Sequence, residues 1–419
     1  PTNLDRIKAV FPHTYGRPSV SFKPDPSAPA LPSKPLRVGV VLSGGQAPGG
    51  HNVIMGVFDY IKRINPDSVL VGFLMGPHGL FTNNFAVIDD AMMDKYRNTG
   101  GFDMIGSGRH KIESAEQFKA SMDTAQAHKL DGIIIIGGDD SNTNAALLAE
   151  YFAANGCTTV VNGAPKTIDG DLKVNSHVPV SFGFDTACRT YSEMIGNLAL
   201  DAIGSRKYYH FVRLMGRAAS NITLEAALQT HPNITLLGEE VKARRQNLAS
   251  VTEEIVDVIV RRSAAGKDFG LVLVPEGLVE FIPEMEALLG ELNELMATGV
   301  AADVDVVSKT LTANNAALFN YLPPDIRKQL LADRDSHGNV QVSKIETEKL
   351  LAETIQRELE RLRSKGEYTA SFRPQFSFFG YEGRAGFPSN FDTTYCYALG
   401  TNAAALIHHG QTGLISCVS

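Results

Sequence analysis

From Leu36 onward, short β-branched apolar runs alternate with helix-length stretches. The runs are Arg37 to Leu42, Val69 to Met75, Gly132 to Ile136, Thr158 to Val161, Tyr208 to Leu214 and Phe269 to Val274. Each is too short for a core helix and lacks the in-out alternation of a half-exposed strand, so the pattern predicts parallel strands covered on both faces. A further strand is expected at Phe376 to Phe379 and a helix from Asp392 through Ala405. Between about Pro283 and Glu367 the chain turns rich in Leu, Ala, Glu, Lys and Arg, with Ile355, Leu359 and Leu362 at helical spacing, which reads as a helical insertion. Prolines at 18, 24, 26, 29, 32 and 35 exclude regular helix or a central strand, so residues 1–35 are expected to be an extended arm. The predicted class is α/β, with two doubly wound, Rossmann-like lobes. Their expected limits are 36–175 and 176–282, followed by the insertion at 283–370 and a return to the second lobe at 371–419.

Composition narrows the function. At 419 residues, with 43% hydrophobic and 20% charged residues, the chain fits a globular protein of more than one domain. A net charge of -7 argues against a nucleic-acid footprint, so anionic ligands must be held by local positive charge. Cys157, Cys188, Cys396 and Cys417 show no CxxC spacing and read as reduced, mostly buried thiols of a cytoplasmic protein without a metal-thiolate site. No apolar run has the length of a membrane span and no signal peptide is expected. The missing initiator Met reads as a trimmed N-terminus. His408-His409 reads as a surface pair, because adjacent helical residues diverge by about 100° and do not readily share an ion.

The candidate chemistry lies where strands end. Asn162-Gly163-Ala164-Pro165-Lys166-Thr167-Ile168-Asp169-Gly170-Asp171 closes one apolar run with two carboxylates, a hydroxyl and an ammonium. Ile136-Gly137-Gly138-Asp139-Asp140-Ser141 closes another. In a parallel α/β sheet such ends are where ligands bind. Asp169 or Asp171 is placed to act as a base, and the alternative is an Asx turn at Asp-Gly. Asp139 and Asp140 are either helix caps or, as adjacent carboxylates that repel unless a cation is near, part of a metal or donor site. The turn Ser43-Gly44-Gly45-Gln46-Ala47-Pro48-Gly49-Gly50 lets backbone N–H groups approach an anion, but departs from both GxGxxG and the Walker pattern.

Ser43-Gly44-Gly45, Gly137 to Ser141, Pro165 to Asp171, Met215-Gly216-Arg217, Pro275-Glu276-Gly277 and Tyr381 to Arg384 occur in the order of one family. The chain resembles the phosphofructokinases, and among them the long pyrophosphate-dependent type, from about Leu36 to Ile415. ATP-using members typically carry Gly at the positions of Asp140 and Lys166. A carboxylate at 140 opposes a nucleotide's α-phosphate, while Lys166 favours the small, highly anionic pyrophosphate. The resemblance implies the phosphofructokinase fold, with the active site between the lobes and the first lobe holding diphosphate and Mg²⁺. It implies the reaction of pyrophosphate with fructose 6-phosphate to give fructose 1,6-bisphosphate and phosphate, readily reversible. It implies Asp169 as general base, with Lys166, Asp140, Thr167 and Asp171 at the reacting centre and Asp139 as the Mg²⁺ ligand. Gly44 and Gly45, with Lys166, would cradle diphosphate. Thr167, Ile168, Asp169, Met215, Gly216, Arg217 and Glu276 would bind the sugar. Tyr381, Glu382, Gly383 and Arg384 would grip its 6-phosphate. Lys207 and Tyr208, the latter replacing an Arg of ATP-using members, would reach a neighbouring subunit's site in a homo-oligomeric dimer or tetramer; the alternative is an ordinary strand face. The chain stops earlier than long members do, implying a missing terminal helix. The alternatives are an ATP-dependent 6-phosphofructokinase and a non-catalytic regulatory subunit of the pyrophosphate enzyme.

Overall fold

The computed structural model describes residues 3–23, 27, 34–173, 178–332, 334 and 338–418. The chain divides into two compact units, 1–187 with 383–419, and 188–382.

In the first unit, β1 (Arg37–Leu42), β2 (Val69–Phe73), β3 (Phe85–Ile88), β4 (Gly132–Gly137) and β5 (Val160–Pro165) form one sheet in the order β3-β2-β1-β4-β5. All pairings are parallel except β2 with β3. Every residue of β4, Gly-Ile-Ile-Ile-Ile-Gly, is buried, as a strand covered on both faces requires. β3 escapes the sequence pattern because it is an edge of four residues whose Phe85 and Val87 stay exposed. β5 runs four residues beyond the apolar run that predicts it, through Asn162 and Gly163. A partner distant in sequence explains this. Residues 411–416 lie alongside, where the Gly413 N–H donates to Val161 O and the Gly163 N–H to Leu414 O. The fully buried Asn162 amide donates to Gln411 O and accepts from the Leu414 N–H.

The helix Asn390–His408 packs on the helix Gly50–Ile64 of this unit. A Cβ on Gly56 would overlap the Tyr397 carbonyl oxygen, and one on Gly400 would overlap that of Val53. The two backbones thus touch through reciprocal glycines. This contact places 383–419 with the first sheet, whereas the expected lobe limits assign it to the second. The N-terminal arm also departs from the expected extended form, because Leu4–Val10 is helical. Behind it, Glu150 accepts from the N–H groups of His13 and Thr14. The proline-rich stretch falls largely outside the described residues, but 17–23 carry neither helix nor strand.

The second unit is built on a parallel sheet of order β7-β8-β6-β9, made of β6 (Tyr209–Leu214), β7 (Ile234–Thr235), β8 (Gly270–Pro275) and β9 (Pro374–Phe379). Helices Pro283–Ala297, Val304–Thr310, Ala313–Tyr321, Pro324–Leu331 and Thr347–Ser364 occupy the expected insertion. They share the sheet's core. Leu288, Leu292, Phe319, Leu351 and Ile355 join Tyr209, Phe211, Val272 and Val274 in one buried cluster. Arg213 on β6 makes a buried ion pair with Glu348, at 2.7 Å, and lies over the Phe378 ring.

Candidate functional site

The order of the first sheet reverses direction between β1 and β4, and the C-terminal ends at such a reversal frame a ligand crevice. After β1, the loop Ser43-Gly44-Gly45 is pinned on two sides. The Gly44 N–H donates to Gly108 O at 2.9 Å, and Ser141 Oγ donates to Ser43 Oγ at 2.8 Å. Gly44 has φ +83°, where a side chain would be strained, and a Cβ there would stand 3.7 Å from Lys166 Nζ. One on Gly45 would lie 3.5 Å from the Arg384 guanidinium carbon. The loop therefore lies over two cations.

Lys166 follows β5 and is 8% exposed, with its N–H bonded to Gly137 O. Its ammonium is pushed down from its ordinary value to about 8, first by burial and then by the Arg384 guanidinium. Asp169 works against that shift, Arg109 adds to it and Asp139 opposes it. These five groups sense one another electrostatically. Three cations crowded together, one of them buried, form a site that gains from a polyanion.

Asp139 and Asp140 open the helix Asp139–Ala154, and neither caps it: its N-cap is Gly138, without a side-chain bond. Of the two expected roles, the capping one is therefore not taken. Asp140 forms an ion pair with Lys111 at 3.3 Å. Thr167 Oγ1 accepts the Asp169 N–H at 3.1 Å, and the Thr167 carbonyl accepts from Ser181 Oγ. Ile168 is buried, Asp169 half-buried and Asp171 exposed. The turn at Asp169-Gly170 is thus held by the threonine hydroxyl. Among the described residues, no group of three or more His, Cys, Asp or Glu side chains is placed to hold a metal ion.

In the second unit, the strand ends bring Met215, Gly216, Arg217 and Glu276 together. The Gly216 N–H donates to Glu276 Oε1 at 3.3 Å, and a Cβ on Gly277 would overlap the Arg217 carbonyl. Gly380, after β9, adjoins the Met215 methyl. Tyr381 is exposed, while Glu382 accepts the Gly380 N–H at 2.8 Å. Gly383 and Arg384 belong to the first unit, and Arg384 stands with Lys166 and Gly45. Lys207 and Tyr208 precede β6, whereas Met215 follows it, so roughly 20 Å of strand separates them.

Sequence reading missed Arg109 and Lys111. Their signal was present in Gly106-Ser107-Gly108-Arg109-His110-Lys111, a glycine-flanked basic turn. No apolar run precedes it closely, so strand patterning gave no reason to look there. His408 is also less of a surface residue than expected: it is half-buried and its Nδ1 lies 3.1 Å from Tyr60 Oη. A cavity of about 530 Å³, lined in part by Lys34, Leu130, Asp131, Cys157, Thr159 and His408, opens at the N-terminal ends of β1, β4 and β5, the opposite end of that sheet from the glycine loop and Lys166.

Known proteins are similar to this chain in sequence and in fold. A family model described as phosphofructokinase covers residues 37–407. The chain is 55% identical over 414 residues to the Solanum tuberosum protein named pyrophosphate–fructose 6-phosphate 1-phosphotransferase subunit beta, covering 99% of this chain and 73% of that one. It is 52% identical over 432 residues to the Treponema pallidum pyrophosphate–fructose 6-phosphate 1-phosphotransferase, covering 99% and 75%. The crystal structure of a pyrophosphate-dependent phosphofructokinase from Marinobacter aquaeolei shares the fold with a TM-score of 0.64 at 16% identity, covering 92% of this chain and 79% of that one. With that family model spanning 37–407 and relatives more than half identical along nearly its whole length, this chain belongs to the phosphofructokinase family.

Proposed function

We infer that this chain transfers a phosphoryl group from pyrophosphate to the 1-hydroxyl of fructose 6-phosphate, yielding fructose 1,6-bisphosphate and phosphate. The observation that carries the donor assignment is the buried Lys166 ammonium beneath Gly44, flanked by Arg384 and Arg109. Such a pocket is compact and strongly cationic, which suits a small anion whose charge is concentrated on two phosphates. The names of the relatives supply the acceptor.

Phosphoryl transfer needs donor and acceptor held in line and the charge neutralised, with little covalent help from the protein. Asp169 takes the proton from the sugar hydroxyl as that oxygen bonds to phosphorus and the bridging anhydride bond breaks. Thr167 fixes the turn that carries this carboxylate, and Asp171 lies two residues on. Arg109, Lys166 and Arg384 neutralise phosphate oxygens, and Gly44 and Gly45 keep the loop's backbone close to them. In the second unit, Met215, Gly216, Arg217, Glu276, Tyr381 and Glu382 bind the sugar phosphate. Asp139 suits Mg²⁺, which takes one or two carboxylates and fills its shell with phosphate oxygens and water. When bound, Mg²⁺ would supply further neutralisation of the donor's charge. The four free thiols fit a reducing compartment such as the cytoplasm, and among the described residues no helix is long and apolar enough to cross a membrane.

One coupled assay tests the whole reading. The chain should turn over with pyrophosphate and Mg²⁺, stop on chelation and show no rate with ATP, and Asp169→Asn should lower kcat by roughly 10² or more at similar KM. Activity with ATP alone would reject the donor, and a near-normal rate for the Asn variant would reject the base.

A further inference from the structure

We propose that Lys111 is a positioning residue for donor choice, holding Asp140 in an ion pair that rejects long donors by shape while sparing pyrophosphate the repulsion of a bare carboxylate. The proposal rests on the reading above that pyrophosphate is the donor.

An unpaired carboxylate cannot easily select for pyrophosphate. It repels every polyphosphate that enters, and pyrophosphate, with its charge in the smallest volume, would suffer as much as a nucleotide. The difference lies in Asp140's partner. Lys111 Nζ stands 3.3 Å from Asp140 Oδ2, and its side chain is 31% exposed against 67% for the carboxylate. A lone surface pair of this kind contributes little to stability. This one is held by its surroundings. Just beyond Lys111, Asn144 Nδ2 donates to the Ile112 carbonyl at 2.7 Å and the Ile112 N–H donates to Asn144 Oδ1 at 3.1 Å. Asn144 is buried, and it lies one helical turn after Asp140 on the same helix. Just before Lys111, the Gly108 carbonyl accepts the N–H of Gly44, the residue that covers Lys166. The segment bearing the ammonium is therefore fastened at one end to Asp140's helix and at the other to the glycine loop. Asp140 and Lys111 together carry no net charge towards a small donor, while their combined bulk stays where a longer donor would extend.

A double-mutant cycle on the full chain tests this, with pyrophosphate and ATP as the probes. Lys111→Met should raise the KM for pyrophosphate about tenfold with kcat changed by less than about threefold, and Lys111→Arg should restore most of it. In an Asp140→Gly background, Lys111→Met should have little further effect on that KM, because no bare carboxylate remains. If the two substitutions raise KM independently, Lys111 contacts the donor itself and the proposal fails. An unchanged KM in a folded Lys111→Met variant also overturns it. Should Lys111→Met not fold, Lys111→Gln takes its place in the cycle under the same criteria. If the wild-type chain turns over ATP and not pyrophosphate, the functional reading falls first, and this proposal with it. If wild type uses pyrophosphate and the cycle is additive, only the proposal falls.

Discussion

Lys166 is costly to the fold, and under the proposed function it is the residue that holds the donor. Its folded-state value of about 8 lies below its ordinary 10.5, so the fold disfavours the charged form. The sign follows from which state takes up the proton first. Above 10.5 the group is neutral in both states and costs nothing. As pH falls from 10.5 to 8 the unfolded chain binds the proton first and the folded state loses ground, and below 8 the deficit stays constant at about 3 kcal/mol. Lys166→Met should therefore raise the melting temperature of the ligand-free protein at pH 7 while abolishing use of pyrophosphate, with the stability gain shrinking above pH 8. Thermal melts at pH 7 and pH 10 check this, and an unchanged or lowered melting point at pH 7 would contradict it. The same residue also shows a limit of local reading. Lys166 stood out in the sequence as a candidate phosphate ligand, but its burial under Gly44 and its crowding by Arg384 and Arg109 arise from segments 122, 218 and 57 positions away. No local pattern encodes such meetings.

At the scale of elements, the helix pair Gly50–Ile64 and Asn390–His408 ties the C-terminal segment to the first sheet. Gly400 is there because the Val53 carbonyl occupies the space a methyl would need, and neither backbone can retreat without unpacking its helix. Gly400→Ala should cost about 1–3 kcal/mol, as overpacking does, lowering the denaturation midpoint at unchanged m-value. The control is Gly290→Ala in the helix Pro283–Ala297, where nothing lies within 4 Å of the added carbon. It should stabilise by about 0.5–1 kcal/mol, since alanine loses less backbone entropy in a helix. Equal responses at the two sites would show that the contact is not as tight as described. The helical segment 283–364 makes a related point about elements. Its composition announced helices, but that they complete the core of the β6–β8 sheet, with Glu348 pairing Arg213 inside it, depended on faces that meet only in the fold.

At the scale of the whole molecule, the two units are each a sheet wrapped by helices, and the chain returns from the second to the first at residue 383. Lys207 and Tyr208 lie at the opposite end of β6 from Met215, so they suit a role in another copy's site better than in their own. That supports a homo-oligomer with shared sites. Sedimentation should give more than one chain per particle. Mixing Lys207→Ala subunits with Asp169→Asn subunits should recover part of the activity that each lacks, and recovery absent from confirmed mixed particles would exclude sharing. Exposed Leu200, Ile203, Leu224 and Leu228 offer this unit apolar surface for such an assembly.

What the sequence determined by itself was whatever depends on near neighbours. Apolar runs of strand length located β1, β2, β4, β6 and β8, because continuous burial leaves a mark on consecutive residues. Acids, glycines and a lysine at the strand ends marked the candidate site for the same reason. The tertiary structure alone decided what depends on distant partners: β3 at its exposed edge, the polar continuation of β5 beside residues 411–416, the cations around Lys166 and the pairing of Lys111 with Asp140. Burial and charge are fields summed over whatever the fold brings near, and a chain read in order samples only the part of that field its own neighbours make.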